Sequence, residues 1–170
     1  MRKHIFLIGM MGCGKSTMGR LLSDHLACRF TDLDDEIIRY EGRTIPEIFA
    51  DVGDAGFRLC ETAALQCVID EAPCIVATGG GIVTREENIA LMRNAGLVIW
   101  LNRPLDDMIA DVRQDTRPNL AGDKEERMRT LFAARQPLYE RAAHLVFSNH
   151  LPAIQSAQLL CELIADHHLA

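Results

Sequence analysis

The chain has 170 residues, 48% hydrophobic and 25% charged, with a formal net charge of −6. That length suits one domain able to bury roughly two thirds of its unfolded surface. So acidic a chain is a poor partner for phosphate backbones, which disfavours nucleic-acid binding, although a few cations gathered in one pocket can still hold a small anion.

His4–Ile8 is apolar throughout and reads as a buried strand. It runs directly into Gly9-Met10-Met11-Gly12-Cys13-Gly14-Lys15-Ser16, a full match to GxxxxGK[ST] in its required strand-to-helix setting. The glycines let backbone N–H groups turn inward around a β-phosphate, and the following helix start adds partial positive charge. In such a cradle Lys15 reaches the β/γ oxygens and the Ser16 hydroxyl ligates Mg²⁺. A helix over 15–27 follows, then a short strand at Arg29–Thr31.

Phe30-Thr31-Asp32-Leu33-Asp34 follows at the edge of the sheet where α/β ligands bind. Read as an extended DxD, Asp32 and Asp34 point to one side, with Asp32 serving Mg²⁺ through water and Asp34 accepting from a substrate hydroxyl. The alternative is a capping cluster, with Asp34 or Asp35 starting a helix over 35–40. In the helix expected over 57–70, Phe57, Glu61, Ala64 and Val68 share a stripe, and Arg58 stands three residues from Glu61. A glutamate on an apolar stripe needs that arginine.

Cys74–Thr78 is the next strand and ends in Gly79-Gly80-Gly81, which permits close backbone approach and offers N–H donors to an anion. A tight strand-to-helix turn needs fewer than three glycines. Helix 85–94, strand Leu97–Leu101 and helix 104–112 continue the alternation. The stretch 113–123 is a long polar loop of the kind that forms lids. Helix 124–142 carries Met128, Leu131, Phe132, Arg135 and Tyr139 on one stripe, and Pro137 is placed to kink it. Taken alone, Arg58 and Arg135 each read first as a structural salt bridge and second as a ligand to an anion. Strand Leu145–Phe147 and helix 152–168 close the chain. The whole is an α/β doubly wound pattern with a parallel sheet.

Cys13, Cys28, Cys60, Cys67, Cys74 and Cys161 show neither CxxC pairing nor zinc spacing. The first residues lack the pattern of a signal peptide, and no run approaches the roughly 20 apolar residues of a membrane span. A cytoplasmic protein with reduced thiols is expected. Near a helix N-terminus, the Cys13 thiol is expected either to have a lowered pKa and react where bound nucleotide protects it, or to be a buried, inert cysteine. Neither Lys15 nor Lys124 lies in an [NT]KxD motif, which disfavours a GTPase.

GMMGCGKS, FTDLDDEI, GFRLCE, ATGGGIV, TRPNLAG and ARQPLYERAAHLV together resemble, in order and spacing, the motifs of shikimate kinases. The resemblance spans nearly the whole chain. It implies a five-stranded parallel sheet of the nucleoside-monophosphate-kinase type, a substrate-binding segment at about 33–61 and a mobile lid at about 113–124. It further implies that Gly12, Cys13, Gly14, Lys15, Ser16 and Thr17 hold ATP, that Ser16 and Asp32 serve Mg²⁺, and that lid Arg117 reaches the phosphates. Asp34, Arg58, Gly80 and Arg135 would bind shikimate beside Gly79 and Gly81, with Lys15, Asp34 and Arg117 as the catalytic set. Where the family's usual lid reads RPLL, this chain has Arg117-Pro118-Asn119-Leu120. Arg113 and the 148–152 loop are expected on the adenine side. The implied activity is phosphorylation of the shikimate 3-hydroxyl in aromatic amino-acid biosynthesis, by a monomer with no nucleic-acid or membrane partner. The alternatives are another small-metabolite kinase, such as one for gluconate, and a non-catalytic nucleotide-binding regulator.

Overall fold

The computed structural model describes residues 3–114 and 118–166; of 112–114 and 118–123 it describes the backbone alone. Five strands, β1 (His4–Ile8), β2 (Phe30–Asp32), β3 (Ile75–Ala77), β4 (Gly96–Asn102) and β5 (Leu145–Ser148), form one sheet in the order β2-β3-β1-β4-β5. Every pairing is parallel. β1 and β3 are buried at every residue, as central strands covered on both faces must be. The edge strands β2 and β5 alternate between buried and more open positions.

The helices are α1 (Lys15–Leu26), α2 (Leu33–Glu41), α3 (Ile45–Ile69), α4 (Glu86–Ala95), α5 (Leu105–Gln114), α6 (Pro118–Ala142) and α7 (Ala153–Asp166). Ile5, Phe6, Leu7 and Ile8 pack with Met18, Leu22, Leu65, Ile99, Tyr139 and Leu160 in a continuous core. Each such side chain contributes about 1.5–3 kcal/mol by leaving water. Among the described residues, no helix is long and apolar enough to cross a membrane.

Three differences from the sequence reading bear on function. Asp34 does not lie on an extended strand: Asp32 ends β2 and caps α2, its Oδ1 accepting from the Asp34 N–H at 3.2 Å. Asp34 therefore occupies the first helical turn, so the strand period does not relate the two carboxylates. Second, α3 begins at Ile45, twelve residues before the expected helix, behind a capping box in which Glu47 accepts from the Thr44 N–H and hydroxyl, each at 2.7 Å. Gly53, at φ 66° and ψ −172°, interrupts its helical path. Third, the expected 113–123 loop is helical at both ends, where α5 runs to Gln114 and α6 opens at Pro118.

Candidate active site

The loop after β1 curls back on itself at Gly9, whose φ of +142° favours glycine and whose absent Cβ would lie 2.8 Å from both Cys13 Sγ and Leu101 O. Lys15 Nζ bridges the curl, donating to Gly9 O at 2.9 Å and Met10 O at 2.8 Å. Two side chains from distant elements steady the same loop. Arg103, after β4, donates to Gly12 O at 3.0 Å and to Asp111 of α5 at 2.6 Å. Asn149, after β5, donates to Cys13 O at 2.8 Å. Together with Thr17 and His150 they line a cavity of ≈ 230 Å³ against the loop. The 148–152 segment was expected near this position. Arg103 was not, because nothing in its sequence surroundings separates it from a surface arginine.

Ser16 Oγ donates to Asp32 Oδ2 at 2.6 Å, so one hydroxyl and one carboxylate converge beside the loop. Mg²⁺ favours hard oxygen ligands and is commonly held by one or two protein groups together with substrate phosphates and water. This pair fits that chemistry. Cys13 takes the buried alternative: it is 1% exposed, and burial pushes its thiol pKa up against the pull of Lys15.

The second half of the site forms around Gly79–Gly81, directly after β3. A Cβ on Gly79 would lie 2.5 Å from Glu61 Oε1 and 3.5 Å from Asp34 Oδ1. One on Gly80 would lie 3.4 Å from Gly9 O and 3.6 Å from Arg135 Nη1, and one on Gly81 would strike the Arg58 guanidinium. The glycine strap is thus the meeting point of the phosphate loop, α2, α3 and α6. Its lack of side chains is what admits Asp34, Arg58, Glu61 and Arg135 together.

These four groups differ in electrostatic standing. Arg58 is gripped by Glu61 and by Asp54, the latter at 3.0 Å. Burial opposes its charge, yet the two carboxylates raise its pKa above the ordinary value. Burial also pushes the Glu61 carboxyl up, outweighing the opposing pull of Arg58, because Glu61 is 1% exposed and its Oε1 has no partner among the described residues. Asp34 is likewise raised, first by burial and then by the Asp32 charge. Arg135 is half-buried and makes no ion pair among the described residues. The salt-bridge reading therefore describes Arg58 and leaves Arg135 with a guanidinium to offer. Arg117 lies outside the described residues, as does the side chain of Arg113.

With that geometry in place, comparison with known proteins places the chain among them. A family model described as shikimate kinase matches residues 11–165. A shikimate kinase from Nitrosospira multiformis is 44% identical over 145 residues, covering 84% of this chain and 74% of the relative. A solved shikimate kinase from Acinetobacter baumannii, in complex with shikimate, superposes with a TM-score of 0.89 at 36% identity, covering 99% of this chain and 96% of the other. A gluconokinase from Sinorhizobium meliloti has a TM-score of 0.60 at 13% identity over 98% of this chain and 95% of its own, a likeness of fold alone.

Proposed function

The chain belongs to the shikimate kinase family, and from that premise we propose that it catalyses ATP + shikimate → ADP + shikimate 3-phosphate. The observation that carries the reading is the convergence of Asp34, Arg58 and Arg135 on a side-chain-free strap against the phosphate loop. A hydroxylated carboxylate needs two guanidinium forks and an acceptor for one hydroxyl proton. Such a set has no use in a protein that only binds nucleotide.

In this reading the acceptor's carboxylate lies between Arg58 and Arg135, and its 3-hydroxyl faces Asp34. The hydroxyl oxygen forms a bond to the γ-phosphorus, the bond to the β,γ-bridging oxygen breaks, and ADP leaves. The hydroxyl proton passes to Asp34, whose raised pKa makes it a better base than an exposed aspartate. Gly12 to Thr17 cradle the phosphates, and Lys15 exchanges its two loop carbonyls for the β/γ oxygens. Ser16 and Asp32 would hold Mg²⁺, which neutralises phosphate charge when bound. Arg117 serves the phosphates in the same reading. The six cysteines stand as free thiols, which supports work in a reducing compartment, the cytoplasm.

A coupled ADP-release assay with shikimate, quinate and gluconate tests the assignment. Turnover is expected with shikimate far above the other two. Preferred turnover of gluconate, or release of ADP at one rate whichever acid is present, would refute it.

A further inference from the structure

Tyr139 is fully buried on α6, stacked on Trp100 with ring centroids 5.7 Å apart, and one helical turn beyond Arg135. Its hydroxyl donates to the carbonyl of Gly80 at 2.5 Å. The neighbouring carbonyls of the strap are also taken: Gly79 O accepts from the Ile82 N–H at 3.2 Å, and Gly81 O from the Thr84 hydroxyl at 2.7 Å. The N–H groups of Gly79, Gly80 and Gly81 have no partner among the described residues.

In a trans peptide the C=O of one residue and the N–H of the next point in opposite directions. A donor fixed on the Gly80 carbonyl therefore fixes the Gly81 N–H on the side away from Tyr139. The Ile82 N–H sets the Gly80 N–H in the same manner. Three glycines in a row would otherwise rotate these peptide planes freely. From this we infer that Tyr139 is a positioning residue for the acceptor site. By holding the Gly80 carbonyl it orients the strap's free N–H donors, while its place on α6 fixes Arg135 against the same strap. Thr84 holds the Gly81 carbonyl with both its hydroxyl and its N–H, the latter at 3.0 Å, which closes the far end of the strap. The inference rests on the reading that this strap receives shikimate.

The test is Tyr139→Phe, which keeps the ring, its burial and its stacking and removes only the hydroxyl, with its bond to Gly80 and its contact with Arg135. Losing one neutral hydrogen bond that orders a donor array is expected to raise the KM for shikimate by about five- to tenfold. The KM for ATP and kcat should each stay within about twofold, with little change in melting temperature. Equal rises in both KM values with a lower melting temperature would reduce Tyr139 to a packing residue and overturn the inference, as would an unchanged shikimate KM. Should Tyr139→Phe not fold, amide hydrogen exchange in the unaltered enzyme decides: exchange of the Gly80 and Gly81 N–H groups should slow when shikimate is added, and exchange unchanged by shikimate overturns the inference. Failure of the unaltered enzyme to phosphorylate shikimate would remove the reading beneath the inference as well, so the two failures are told apart by the wild-type assay.

Discussion

Two arginines that look alike in sequence have different tasks once their surroundings are known. Among the described residues Arg135 has no carboxylate to neutralise it, so Arg135→Lys, which keeps charge but loses the fork, should raise the KM for shikimate about 10- to 100-fold, the equivalent of roughly 1.5–3 kcal/mol. Its melting temperature should hardly move. Arg58→Lys should damage shikimate binding and also lower stability, since Arg58 is the partner of a buried glutamate. A stability loss in both variants, or in neither, would contradict this division. Glu61 adds a pH dependence. Its folded carboxyl keeps its proton to a higher pH than the unfolded one, so its favourable contribution is complete below the ordinary value of 4.5 and is lost as pH rises through the raised folded value. Wild type should therefore lose unfolding free energy relative to Glu61→Gln between pH 4.5 and neutrality, as urea titrations at several pH values will show. The Cys13 thiol, buried beneath the loop, should react with maleimide much more slowly than exposed Cys67, whether or not nucleotide is present.

At the level of elements, what was readable depended on how much of the signal lay in burial. β1, β3 and β4 announce themselves as apolar runs because both of their faces are covered. The phosphate loop was equally plain, since its spacing follows from the loop's own backbone needs. By contrast, 45–52 was missed as helix although Thr44-Ile45-Pro46-Glu47 is a start signal. Gly53 and Gly56 broke up the hydrophobic period and hid it. The contacts of Arg103 with the phosphate loop and of Tyr139 with Gly80 were beyond reach, because each joins elements remote in sequence, and Asp54 was missed with the first half of α3. Gly53 also yields a prediction. Its positive φ with extended ψ is a conformation essentially confined to glycine, and open space surrounds it, so Gly53→Ala should cost about 1–3 kcal/mol in stability through backbone strain alone. A shikimate KM that rises with it would mark this break in α3 as functional.

For the molecule as a whole, the groups at the strap come from five stretches of chain: the loop after β1, α2, α3, the end of β3 and α6. β3 reaches its place beside β1 only after the intervening helices have crossed the sheet. No single element, nor any adjacent pair, carries all the groups that meet at the strap. The Gly80 carbonyl therefore cannot gain its donor during synthesis until Tyr139 has left the ribosome. Shikimate capture thus reports completed folding, and a nascent chain stalled before α6 should show no binding even with its phosphate loop already formed.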